Sequence, residues 1–148
     1  MKLNVFALGL GALAGLLMAV QGAMNAMLSK GIGVFETSLT VNLLGLLLSG
    51  ALVLLGVGGG NFARYPSVPW YASLGGFLGV GIIYAVSVSI AKTSAAPATT
   101  AIIFAQVLTA ALLDYFGVLG LPRVSFTWLK GSGILLMAGG AYLLLQSR

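Results

Sequence analysis

Leu17–Gly33 reads LMAVQGAMNAMLSKGIG, and the reading of this stretch decides the fold. It closes an apolar run that begins near residue 4 and is hydrophobic enough to enter a membrane. Gln21 and Asn25 lie four residues apart, so a helix puts them on one face, a turn apart. Gly22 and Ala26 follow one residue behind each, so a small-residue face runs beside the polar one. A helix surrounded by lipid has no use for amides at this depth. The polar face is therefore expected to look into a protein interior where something polar is handled.

The composition agrees with a membrane interior. The chain has 148 residues, of which 59% are hydrophobic and 6% charged, with a mean hydropathy of +1.11. A soluble domain carries about 25% charged residues. This chain lacks the polar surface to cover a core in water. Its length fits one domain, a single transmembrane unit over residues 1–148. With no cysteine and no histidine, disulfides, thiolate metal sites, the usual general base and the commonest metal ligand are all excluded. No metal or cofactor is expected. The net charge of +5 comes from seven Lys/Arg scattered singly near the ends of apolar runs. Such charges flank membrane spans, and without a cluster no nucleic-acid face is expected. The opening MKLNVFALGLGALAGLLMAV has the look of a signal peptide with Lys2 as its basic end. Its apolar run exceeds the ~15 residues of a signal core and further spans follow, so it reads as a retained first helix.

Working outward, five apolar stretches are long enough to cross ~30 Å of hydrocarbon. They fall near 4–28, 34–56, 69–91, 97–116 and 125–146. The links SKGIG, GGGNFARYPSVP, KTSAAP and GVLGLPRV are short and rich in helix breakers. Pro69 and Pro97 suit first-turn positions, where a missing N–H costs little. The runs are continuously apolar rather than alternating, so helices and not a barrel must span. The expected class is an all-α membrane protein of five transmembrane helices. Gly11 with Gly15, and Gly75 with Gly79, have the small-xxx-small spacing that lets helix backbones approach closely in lipid.

Five spans put the termini on opposite faces. Call the face of the N-terminus side A and the other side B. Side A then carries Lys2, Arg64, Arg123 and Lys130, and side B carries Lys30, Lys92 and Arg148. Every loop is short enough to count for the positive-inside rule, and a four-to-three split gives almost no orientation. Such balance is what a dual-topology protein shows, inserting both ways and pairing as an antiparallel homodimer. Trp70, Tyr71, Tyr115 and Trp128 form an aromatic belt on side A, but belts occur on both faces and do not decide.

Depth estimates at 1.5 Å per residue bring polar residues from four spans to one level. Gln21 and Tyr84 lie about 10 Å from side B, Asn42 about 12 Å and Gln106 about 14 Å. All fall just on the B side of the midplane, since the half-thickness is ~15 Å. Asn25, Thr40, Ser87, Thr99 and Thr100 lie between that layer and side B. Two readings stay open. One is interhelical bonding at ~0.6 kcal/mol per contact that merely fixes packing. The other is a cavity with a polar floor that opens toward side B, in which Gln21, Asn25, Asn42, Tyr84 and Gln106 bind substrate.

Of the two carboxylates, Glu36 falls in the first turn of the second span, where a helix N-terminus favours an anion. It reads either as an interfacial cap or as a proton or cation site at the cavity mouth. Asp114 is at the wrong end of the fourth helix for the dipole, so a structural ion pair with Arg123 or Lys130 is expected, Arg123 first. No Ser/His/Asp set, metal cluster or close carboxylate pair is present, so the chain is not expected to be an enzyme.

Several stretches resemble the short five-helix bacterial members of the drug/metabolite transporter superfamily, of the YdcZ type. They are GAMNAML after Gln21, PWYASLGGFLGV opening the third span, AQVLTAALLDYFGVLGLP across the fourth span and its exit, and GILLMAGGAYLL in the fifth. The resemblance implies an inner-membrane exporter built as half of an inverted-repeat transporter. An odd number of spans makes a tandem duplicate inverted, in keeping with the charge balance. Its partners would be membrane lipid, a small-molecule substrate and a second copy of itself, with alternating access as the mechanism. A passive channel, or a non-transporting subunit that needs a paralogous partner, remains the alternative.

Overall fold

The computed structural model describes residues 4–146. Lys2 and Arg148, which enter the charge balance, lie outside the described residues. Five helices occur, α1 (Val5–Ile32), α2 (Val34–Leu54), α3 (Gly75–Lys92), α4 (Ala95–Phe116) and α5 (Trp128–Gln146). Two 3-10 turns, Phe62–Ser67 and Trp70–Leu74, precede α3. The second runs into α3, so the third span covers Trp70–Lys92. Each of the five spans is long and apolar enough to cross a membrane, and the described residues contain no strand. The protein is thus an all-α chain of five membrane-spanning helices.

The helix ends follow from local chemistry. Asn4 starts α1, its side chain accepting the Ala7 N–H at 3.2 Å. α1 then runs 28 residues, about 42 Å, four residues past the expected end at 28. Nothing before Gly33 breaks it, because Ser29 satisfies its own hydroxyl on the Ala26 carbonyl at 2.9 Å. Gly33 ends it with φ +98°, a backbone position that suits glycine. The same residue begins α2. Its N–H donates to the Ser29 carbonyl at 3.0 Å, and its carbonyl accepts from the Thr37 N–H at 3.1 Å. One residue therefore serves both helices, and α1 and α2 are joined by a single-residue turn and pack on each other.

The chain gathers into two compact units, Met1–Lys92 and Thr93–Arg148. In the first, α1 packs on both α2 and α3, and α2 also meets α3. In the second, α4 packs on α5. α4 ends at Gly117, whose φ of +62° makes a left-handed cap. The chain then doubles back, and the Val124 N–H donates to the Asp114 carbonyl at 2.8 Å.

What is buried departs from a water-soluble core. Among the described residues the only buried hydrophobic side chains are Ala26 and Ala98. Leucines such as Leu46, Leu47 and Leu48 stay exposed along α2. In water so much apolar surface is untenable, but hydrocarbon costs it nothing.

Candidate functional site

The interior of the first unit is built from two stripes of small and polar residues. On α1 these are Gly22, Asn25 and Ala26, and on α2 they are Thr37 and Ser38. Spacings of three and four residues from Gly22 place the α1 set on one helix face, and the α2 pair are neighbours in sequence. α3 closes the group with Ser87, which is fully buried. Small side chains are what close packing in lipid requires. At Gly22 the approach is tight, for a Cβ there would sit 3.0 Å from Val86 Cγ1 and 3.2 Å from Ile90 Cδ1. Gly22 and Val86 each lie about 25 Å along their spans, which suits first and third spans that run in the same direction. Alternate crossing, as the hydropathy pattern implies, has this consequence.

The polar layer expected from depth resolves unevenly. Asn25 is buried, with 5% of its surface exposed. Gln21 stays exposed, because the packing face runs through Gly22 and Ala26 and leaves Gln21 at its edge. Asn42 is satisfied within its own helix. Its Nδ2 donates to the Ser38 carbonyl at 2.8 Å and to Ser38 Oγ at 3.3 Å. Tyr84 stacks on Phe35, with ring centroids 5.6 Å apart and an interplanar angle of 25°. So α1, α2 and α3 each bring a layer residue to the first unit, but through separate local contacts. Gln106 lies on α4, in the second unit, and is exposed. By depth Ser87 falls between the layer and side B, and Thr37 and Ser38 lie nearer that face still. Their helical phase, in step with Val34 and Val41, carried the signal of burial.

Glu36 is exposed in the first turn of α2, and its carboxylate fills the space a Cβ at Gly33 would take. It thus covers the N-terminus of α2, where the helix dipole favours negative charge.

No Asp114–Arg123 ion pair is formed among the described residues. The turn after Gly117 lays Arg123 against the last turn of α4. There its Nε donates to the Tyr115 carbonyl at 3.1 Å, and its guanidinium lies 5.7 Å from the Tyr115 ring centroid. A helix end leaves carbonyls without partners, and a cation satisfies them directly. Arg123 therefore answers the dipole through the backbone rather than through the Asp114 carboxylate.

Clefts open elsewhere. One of about 660 Å³ lies between α4 and α5, lined by Leu112, Tyr115, Phe126 and Ile134 among others. Another of about 510 Å³ lies under the first 3-10 turn, beside Asn61, Arg64 and Tyr65. Neither contains a residue of the expected polar layer.

Five apolar spanning helices, with a small and polar interior in the first unit, define a multi-pass membrane protein. The chain belongs to the family described as "Putative inner membrane exporter, YdcZ", whose model matches residues 6–143. It is accordingly an inner-membrane protein of an exporter family, and the resemblance read from its motifs extends over nearly the whole chain. No curated protein and no solved structure matches it.

Proposed function

We propose that the chain is half of an exporter, pairing with a second copy as an antiparallel homodimer and moving a small, partly polar metabolite or drug by alternating access. The observation that carries this reading is the character of the buried residues in α1–α3. All of them are small or polar, Gly22, Asn25, Ala26, Thr37, Ser38 and Ser87, in helices otherwise lined with leucine and valine. Polar groups inside a membrane are costly and mark places where polar cargo is handled. Five spans with four basic residues on one face and three on the other support insertion in both orientations. Two inverted copies would stand as an inverted repeat about the midplane, and rocking one against the other gives alternating access.

In this reading Gln21, Asn25, Asn42, Tyr84 and Gln106 supply orienting hydrogen bonds, and apolar walls supply most of the contact. Glu36, exposed at the α1–α2 turn, senses charge or couples to protons. Arg123 holds the exit of α4 in place. Flux into proteoliposomes, with ligand-induced thermal shifts in detergent, tests the proposal. Protein-dependent flux of a panel member together with a thermal shift supports it. Absence of both across a broad panel contradicts it. A passive channel would show flux without counter-exchange. A subunit needing a paralogue would show flux only when the second chain is added.

A further inference from the structure

The buried polar groups of α1–α3 fall into two kinds. Thr37 Oγ1 donates to the Gly33 carbonyl at 2.7 Å, and Ser38 Oγ accepts from Asn42 at 3.3 Å. Ser87 Oγ, by contrast, is fully buried and has no hydrogen-bond partner among the described residues. Asn25 is also buried, with 5% of its surface exposed, but Ser87 Oγ is the only enclosed side-chain polar atom without a partner among the described residues. Several helical hydroxyls elsewhere in the chain turn back onto carbonyls of their own helix. Ser29 does so on Ala26, Thr40 on Glu36, Ser49 on Gly45, Thr100 on Ala96 and Ser132 on Trp128. A serine in mid-helix has that bond within reach, and Ser87 does not take it. Val86, beside it in sequence, and Ile90, one turn on, are the residues that touch Gly22, so Ser87 is buried next to the contact with α1. Asn25 is on the same stripe of α1, one turn beyond Gly22. An orphaned buried polar group costs stability and calls for an explanation.

We infer that Asn25 and Ser87 are the two hydrogen-bonding points of a binding step for a small uncharged solute, one that carries both donors and acceptors, such as a polyol or a primary amide. The inference rests on the exporter reading and names its substrate class. The buried set in α1–α3 contains no titratable group, while Lys30, Glu36 and Lys92 are all exposed. A charged solute at this depth would find no counter-charge, which low dielectric makes prohibitive. Asn offers a donor and an acceptor, and so does Ser, a set that matches a neutral partner of the same kind. The solute takes its place when α1 and α3 part at Gly22, and the orphaned Ser87 hydroxyl then finds a partner.

The test uses the full chain in proteoliposomes with erythritol, xylitol, tetraethylammonium and methanesulfonate as probes. Protein-dependent flux of a neutral probe, with none of either ion, is expected. Ser87→Ala removes an orphaned hydroxyl, so it should raise the melting temperature by a few degrees while lowering neutral-probe flux roughly tenfold and abolishing the ligand-induced thermal shift. Asn25→Asp, which buries a carboxylate, should move the preference toward tetraethylammonium. Flux of an ion without flux of a polyol overturns the inference and leaves the exporter reading standing. Unchanged polyol flux and thermal shift in Ser87→Ala also overturn it. Absence of any flux or ligand shift removes the exporter reading and this inference with it.

Discussion

Gly22 of α1 sits directly against Val86 of α3, so close that a Cβ at Gly22 would stand 3.0 Å from Val86 Cγ1. This contact holds the first and third spans together beside buried Asn25 and the orphaned Ser87 hydroxyl. It is an apolar contact between the Gly22 backbone and the Val86 side chain, so it can separate without breaking a hydrogen bond. A flexible methyl can yield a few tenths of an ångström, so Gly22→Ala should be mild. Gly22→Leu cannot be absorbed and should cost about 1–3 kcal/mol by overpacking. Thermal unfolding in detergent reads both, and the leucine variant should also fail to close and so lose transport. Equal melting temperatures for the wild type and Gly22→Leu would show that α1 and α3 do not pack as described.

Gly33 is the single-residue turn between α1 and α2. Its φ of +98° disfavours any L side chain, and the Glu36 carboxylate already occupies the Cβ position. Gly33→Ala should therefore cost about 1–3 kcal/mol from backbone strain. Glu36→Gln keeps the shape but removes the charge, so it should lose only ~0.3–1 kcal/mol of helix-dipole stabilisation. If Glu36 couples transport to protons, Glu36→Gln also abolishes uptake driven by a pH gradient while counter-exchange persists.

Arg123 anchors the end of α4 through the Tyr115 carbonyl. Arg123→Ala should destabilise the second unit by about 1–2 kcal/mol, since it uncovers a helix-terminal carbonyl and removes a cation–π contact. Asp114→Asn should cost less, because no ion pair is lost among the described residues. A double-mutant cycle between the two positions should give a coupling energy near zero, and a coupling above about 1 kcal/mol would place an ion pair there after all.

Phe35 and Tyr84 stack across α2 and α3. Phe35→Ala should lose roughly 0.5–1.5 kcal/mol beyond its lost area. Tyr84→Phe keeps the stack, so stability should hold. Any fall in transport then measures the hydroxyl alone, and unchanged transport removes Tyr84 from the substrate-binding set.

The five spans were legible because hydrocarbon imposes length and apolarity on every crossing segment, and single-residue detail hardly matters at that scale. Where chemistry rather than hydropathy sets a boundary, the reading was less sharp. α1 runs on to Ile32 because Ser29 and Lys30 are tolerated in a helix until a glycine takes positive φ. Helical spacing grouped Gln21 with Asn25, since four residues make about one turn. Packing then selected the neighbouring stripe, because Gly22 and Ala26 let a backbone approach where Gln21 would hold it off. Asn42 satisfied itself on Ser38 within its own helix, an option open to a side-chain amide at that spacing. Arg123 was expected near the end of α4 and is found there, but its partner is a carbonyl that sequence does not display. The orphaned state of Ser87 was not legible, since a hydroxyl's partner depends on rotamer and neighbours rather than on residue type.

Antiparallel pairing is the central claim, and topology tests it most directly. The chain has no cysteine, so a single Gly31→Cys provides the only thiol. A Cβ at Gly31 meets nothing within 4 Å, and the position lies beside Lys30 at the α1–α2 turn, leaving the charge balance intact. Intact cells are treated with a membrane-impermeant maleimide, and the cytoplasmic face is then labelled after lysis. The account predicts two populations of comparable size, one labelled from outside and one only from inside. Labelling of essentially all molecules from a single face would contradict it and end the antiparallel homodimer.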